Sequence, residues 1–276
     1  MVVGSIFALV ATGLTMIFGV MKTSNFAHGQ IYALGAYLTY GIASHFGLNS
    51  ALALALSIPT LFALGIVVDK VLFSRLRRGT DISLLDASVI TLGFAIFLDG
   101  FMLEIWGADY QKTPPILEGA VNIGPFLINS QRLIASSLAM AIIFALSLFV
   151  YKTKAGKAIR ATQQRKDVAR SLGINTDHIY ALVLAIAFSL AGVAGGVLSS
   201  IYYIYPGMGM AFTLRAYVVV IVGGMGSIEG AVFASYLISF IEVFASIQIG
   251  FEYQPVIGYL IMIAILLIRP KGILSK

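Results

Sequence analysis

A chain of 276 residues that is 59% hydrophobic and only 11% charged departs from soluble domains, which run about half apolar and about a quarter charged. It has no cysteine and three scattered histidines, which argues against disulfides, thiolate metal sites and a catalytic metal centre. The net charge of +6 has two ordinary causes, a nucleic-acid surface or the cytoplasmic cations of a membrane protein, and the positions of the cations decide between them.

Apolar segments fall at 2–20, 26–44, 50–73, 85–106, 132–151, 180–203, 228–248 and 255–268. Most are long enough for a helix to cross a hydrocarbon core of about 30 Å. They are continuous rather than alternating, which argues against a β-barrel. The first follows Met1 without a basic flank, so no cleavable signal is expected, and the missing flank leaves room for an earlier start of the chain.

The second segment opens as NFAHGQIYALGAY. Asn25, His28 and Gln30 are polar groups at an apolar edge. Asn25 reads first as an interfacial anchor and helix cap, and a neutral His28 imidazole can be satisfied by a neighbouring helix carbonyl. The alternative places all three on a polar path. Gly29, Ala33 and Ala36 make a small-residue face suited to close helix packing. In the fourth segment, Asp86 lies near the inner end, within reach of water. Asp99 lies nearer the middle, where an acid costs about 2.5–3.5 kcal/mol on insertion scales. It is expected to face a cavity or a partner helix, with Thr91 and Gly93 on the same path. A proton or cation relay through Asp99 is the sharper alternative, although no chain of such acids crosses the bilayer.

Residues 155–174 read AGKAIRATQQRKDVARSLGI, and Lys152 to Ile174 hold seven of the eighteen Lys and Arg. Ala, Arg, Lys and Gln without Pro favour a helix from Ala155 to Leu172. Ala158, Ala161, Val168 and Leu172 trace one thin apolar stripe, interrupted by Arg165. Gly173 is a natural C-terminal stop, and Asn175 or Thr176 offers the next N-cap. A basic helix lying on anionic lipid and a helix docked in a groove of a protein partner both fit this pattern.

Further on, RAYVVVIVGG (215–224) reaches only about 15 Å as a helix, half the core. With GGMGSIEGA (223–231) it predicts a half-helix or broken helix, tolerated only where protein or a cavity covers the freed backbone. A dinucleotide fingerprint is excluded, because Glu229 stands where the third Gly belongs. Gly226 with Gly230, and Gly192 with Gly196, read as GxxxG packing faces. Alternatively, the Gly223-Gly224 break exposes a helix end to a polar substrate, with Glu229 pairing an ammonium group or capping the next helix.

Fifteen of the eighteen cations fall on the connectors 69–81, 152–178 and 269–276 and on Lys22. The remaining three, Lys112, Arg132 and Arg215, are expected on the opposite side. This is the positive-inside bias. It makes the basic connector cytoplasmic, places the 107–131 loop outside and excludes nucleic acid as a partner.

The connector resembles the cytoplasmic coupling loop of permease subunits in branched-chain amino acid ABC importers, at Gly156, Arg160, Ala161, Asp167, Leu172, Gly173 and Ile174. NFAHGQ (25–30), GGMGSIEGA and the C-terminal RPKGIL (269–274) extend the resemblance over nearly the whole chain. NFAHG is similar to the smaller of the two permease types, which commonly has an acid next, where this chain has Gln30. The resemblance implies an all-α, polytopic transmembrane bundle of about eight or nine spans with a broken Gly-rich helix. It implies one transmembrane permease domain over residues 1–276, with the coupling loop at 152–178. It further implies a permease subunit, not an enzyme, in ATP-driven import of branched-chain, neutral amino acids across the cytoplasmic (inner) membrane. The implied partners are a second permease subunit, two cytoplasmic ATPase subunits that hold the ATP and Mg, an extracytoplasmic binding protein and membrane lipid. Candidate path residues are Asn25, His28, Gln30, Thr91, Asp99, Gly223, Gly224, Gly226 and Glu229. Urea, short amides or other amino acids are the related cargoes. No GxxxxGK[ST] loop is present, so ATP hydrolysis belongs to another subunit. A secondary transporter coupled through Asp99, or a membrane scaffold, are the competing classes.

Overall fold

The computed structural model describes residues 2–74, 84–123 and 126–274. Most of the 69–81 connector, with Arg75, Arg77 and Arg78, lies outside the described residues. Helix α1 spans Val2–Met21 and α2 spans His28–Phe46. Helix α3, Ser50–Val68, continues through a π-helical turn at Asp69–Phe73. Helix α4 spans Leu84–Trp106. A hairpin of β1, Ala120–Ile123, and β2, Phe126–Asn129, follows. Then come α5, Ser130–Lys152, and two short helices, α6 at Lys154–Gln164 and α7 at Lys166–Ser171. The chain closes with α8, Thr176–Ser199, α9, Met208–Gly223, α10, Ile228–Ile249, and α11, Gln254–Ile268.

The protein is a polytopic helical bundle. Against an expected eight or nine spans, six helices among the described residues (α1, α3, α4, α5, α8 and α10) are long and apolar enough to cross a membrane, and the apolar α9 and α11 are shorter.

The centre is built on α1 and α8, the two most deeply buried of these spans. Lipid tails are as apolar as leucine, so close backbone approach and dispersion, rather than exclusion from water, hold such helices together. The sequence supplies glycine where that approach is tightest. A Cβ on Gly192 would strike Leu61, one on Gly195 the carbonyl of Tyr32, and one on Gly196 the side chains of Thr39 and Leu54. The Gly192/Gly196 face therefore packs as expected, with Gly195 added to it.

One end of the bundle is basic and collects the end of α1, helices α6 and α7, the α9–α10 turn and residues 269–274. At the other end the 107–131 loop is tied down. Ser50 Oγ donates to the Pro114 carbonyl at 2.8 Å, Gln111 pairs with Ile204, and Gln131 Nε2 donates to Ser200 Oγ.

Two expectations change. Helix α9 starts at Met208, seven residues before Arg215, and runs about 24 Å. Arg215 is therefore inside the bundle and not on the far side. Its guanidinium lies 3.5 Å from the buried carboxylate of Glu242 on α10 and over the ring of Phe7. A charge paired inside the protein need not mark a boundary. Second, Asn25 is not interfacial. The segment after Lys22 runs into the bundle, so that α2 begins level with Val10, midway along α1.

Candidate functional site

The start of α2 poses a problem of unpaired backbone. The first N–H groups of any helix lack intrahelical partners, and deep in a membrane bundle no bulk water replaces them. Other helices supply three of the four acceptors. Tyr217 Oη of α9 accepts from the Asn25 N–H at 2.8 Å. Thr91 Oγ1 of α4 accepts from the Phe26 N–H at 3.0 Å. Asn25 Oδ1 accepts from the Ala27 N–H at 3.1 Å, and Thr213 Oγ1 of α9 accepts from the Gly29 N–H at 2.9 Å. Glycine is required at position 29, because a Cβ there would strike the Gly209 carbonyl and Thr213.

Two side chains complete the cluster. His28 Nε2 lies 2.9 Å from the Val10 carbonyl. A carbonyl only accepts, so Nε2 carries the proton. Gln30 Nε2 donates to Asp99 Oδ2 at 2.9 Å. The partner helix expected for Asp99 is thus α2, and its partner residue is Gln30. This pairing gives a physical reason for the amide. A carboxylate at position 30 would face that of Asp99 across the same short distance. Around the cluster, Asn25 Nδ2, His28 Nδ1, Gln30 Oε1 and Asp99 Oδ1 are buried without a hydrogen-bond partner among the described residues. One donor and three acceptors therefore remain unused.

Asn25, His28, Gln30, Thr91 and Asp99 come together here. Gly223, Gly224, Gly226 and Glu229 do not; they form the α9–α10 turn at the basic end. Gly224 and Gly226 have positive φ, +102° and +89°, and a Cβ on Gly223 would strike the Gly230 carbonyl. The turn is held from several sides. Gly226 N–H donates to Thr15 Oγ1 at 2.9 Å, and the N–H groups of Ile273 and Leu274 donate to the carbonyls of Val222 and Gly223. Ser227 caps α10, accepting from the Gly230 N–H at 3.0 Å. Glu229 Oε1 accepts from the Tyr151 hydroxyl at 3.0 Å. Gly226 lies outside α10, so Gly226 and Gly230 do not form a GxxxG face of one helix.

The basic connector folds beside this turn. Thr153 Oγ1 caps α6 by accepting from the Gly156 N–H at 3.0 Å. A Cβ on Gly156 would strike the carbonyls of Phe149 and Val150, so glycine lets α6 fold back against the end of α5. The Arg160 guanidinium donates to the Val150 carbonyl and stacks over Tyr151. The expected single helix is broken at Arg165, which is extended at φ −151°, ψ 103°. The inward face is Gly156, Ile159 and Thr162, joined by Ala169 of α7. The Ala158, Ala161, Val168 and Leu172 stripe does not form the buried face. Its two alanines are half-buried, whereas Val168 and Leu172 are 48% and 76% exposed. Asp167 is exposed in the first turn of α7. Gly173, at φ +83°, ends the helix, with the Ile174 N–H returning to the Ala169 carbonyl, the bond of a Schellman stop. Asn175 is the N-cap of α8. Between α7 and the ends of α1, α3 and α8 lies a groove of about 880 Å³ with Lys22, Lys70, Asp167 and Arg170 on its walls.

Sequence reasoning missed Thr213, Tyr217 and the Arg215–Glu242 pair. Thr213 and Tyr217 stand four apart, one helical turn. That signal was readable only with α9 starting at Met208. Two opposite charges in neighbouring apolar segments were the signal for the ion pair.

Residues 1–266 match the family described as branched-chain amino acid transport system / permease component. The chain is 31% identical, over 99% of its length and 93% of the relative's, to the high-affinity branched-chain amino acid transport system permease protein BraD of Pseudomonas aeruginosa. It is 30% identical to the corresponding permease protein LivH of Escherichia coli, covering 99% and 92% of the two chains. It is also 32% identical to the autoinducer 2 import system permease protein LsrC of Yersinia enterocolitica, over 86% of this chain and 64% of that one. Among solved structures, PsaBC from Streptococcus pneumoniae in complex with Fab has a TM-score of 0.51 at 13% identity, over 98% of this chain and 90% of that one. That likeness concerns the fold alone.

Proposed function

The chain belongs to the family of branched-chain amino acid transport permease components, and from that premise we propose that it carries branched-chain, neutral amino acids inward at the cost of ATP hydrolysed by other subunits. It is a multi-pass permease of the cytoplasmic (inner) membrane and not an enzyme. On this reading, an extracytoplasmic binding protein delivers the substrate, a second permease subunit completes the path, and two cytoplasmic ATPases hold ATP and Mg. The observation that carries the reading is the helix pair α6–α7. It is capped at both ends, locked to α5 through Gly156 and Arg160, and shows Val168 and Leu172 to the exterior. Exposed apolar side chains on a rigid, basic helix pair suit a protein groove. Asp167 is exposed on the same helix pair, whereas Ile174 is partly buried against the core.

The polar cluster at the start of α2 is the candidate substrate path, through Asn25, His28, Gln30, Thr91 and Asp99. A zwitterion has an ammonium group for the unused acceptors of Gln30 and Asp99 and a carboxylate for the unused donor of Asn25. Gly223, Gly224, Gly226 and Glu229 belong to coupling rather than to the path on this reading. LsrC is named for a different cargo, autoinducer 2, and on this reading specificity belongs in large part to the binding protein. Urea, short amides and other amino acids form the panel of competing cargoes.

Uptake by vesicles that contain the assembled importer tests the reading. Leucine, isoleucine or valine uptake that requires ATP and a co-purified ATPase is expected. Uptake by this chain alone, driven by a proton or sodium gradient, would replace it with the secondary-transporter reading.

A further inference from the structure

Two side-chain contacts join the connector region to the α9–α10 turn. Gln163, in the last turn of α6, donates through Nε2 to the Gly226 carbonyl at 2.8 Å. Arg160 of α6 stacks on Tyr151, whose hydroxyl donates to Glu229 at 3.0 Å. The first contact has little slack. A Cβ on Gly19 would lie 3.0 Å from both the Gln163 amide and the Gly226 Cα, so the amide is wedged where the end of α1 meets the turn. The turn carries two glycines with positive φ, a conformation that glycine adopts without steric cost. Beyond the turn, α9 is uninterrupted for about 24 Å. Six and ten residues along α9 from its Gly223 end, Tyr217 and Thr213 bond the start of α2, and near the far end Gly209 abuts Gln30.

We propose that Gln163 and Tyr151 are struts that carry displacement of α6 into the α9–α10 turn, and that α9 delivers it to the polar cluster at the start of α2. The inference rests on the reading that α6–α7 docks an ATPase. It goes beyond that reading by naming where the motion enters the membrane helices. A helix transmits a push along its axis because its backbone is bonded at every turn. A side-chain amide fixed at both ends passes that push on, whereas an apolar side chain of equal size slides past a carbonyl.

Gln163→Leu and Tyr151→Phe test the struts in the complete importer, through substrate moved per ATP hydrolysed. A purely structural role would leave this ratio unchanged. In Gln163→Leu the ratio is expected to fall about fivefold or more, the low end of an intersite coupling, with ATPase binding and hydrolysis retained. Tyr151→Phe, which keeps the ring under Arg160, should fall less, and the double variant furthest. An unchanged ratio in both single variants overturns the struts while ATP-dependent uptake by the wild type keeps the functional reading. Loss of ATPase binding in both also overturns them, since the residues would then serve docking. Wild-type uptake that ignores ATP overturns the functional reading and the struts together.

Discussion

The start of α2 and the α6–α7 pair solve the same problem, unpaired groups at helix ends, in opposite ways. The α2 start lies deep in the bundle and borrows its acceptors from elsewhere: Thr91 from α4, Thr213 and Tyr217 from α9. The α6–α7 pair is self-sufficient. Thr153 caps one end and Gly173 closes the other, within the connector itself. A borrowed cap ties helices to one another, so damage there spreads through the fold. A local cap leaves a unit that can move as one body and show its outer face to a partner. Substitutions in the first region should therefore cost stability, and substitutions on the outer face of the second should cost coupling.

The largest effect is expected from Gly29→Val. Its side chain has to occupy the position of the Gly209 carbonyl and Thr213, an overpacking cost of about 3 kcal/mol or more. Loss of monodisperse protein in detergent is the expected result, and normal yield would show that the α2–α9 contact is loose. Glu242→Leu comes next, because it leaves the Arg215 charge without its partner, a loss of about 3 kcal/mol. A matched Arg215→Met/Glu242→Leu variant should recover most of the melting temperature. No recovery would mean that the pair does not act as a unit. Thr213→Val strips the acceptor from the Gly29 N–H and should cost about 1–2 kcal/mol in unfolding. A change as small as that of a surface substitution would sever the argument about borrowed caps. Ala161→Glu, at a half-buried position on α6, should lower the melting point little and impair ATP-driven uptake more. The reverse order would place Ala161 in the core of the fold.

Much of this contrast was legible in the sequence. Long apolar segments show themselves by composition, and local signals such as Gly173 and Asn175 sit where a helix must stop and start. The depth of α2 was not legible. Lys22, Thr23, Ser24 and Asn25 are the residues of a membrane interface, and only the packing of α1, α4 and α9 shows that the segment runs inward. Arg215 misled for a related reason: a cation in an apolar segment marks a boundary until its counter-charge, 27 residues away, is brought beside it. The break at Arg165 was hidden because Gln, Arg and Lys are all good helix formers. The amide at Gln30, where the resembled family commonly has an acid, is visible in the sequence, but its bond to Asp99 follows only from the packing of α2 against α4.

On the proposed reading, ATP-driven motion enters through the exposed face of α6–α7, and Leu172→Glu tests this most directly. Leu172 is mostly exposed, so insertion and melting temperature should match the wild type. In vesicles containing the whole importer, branched-chain amino acid uptake and the stimulation of ATP hydrolysis by the loaded binding protein should both collapse. Uptake and stimulation at wild-type levels would contradict the account.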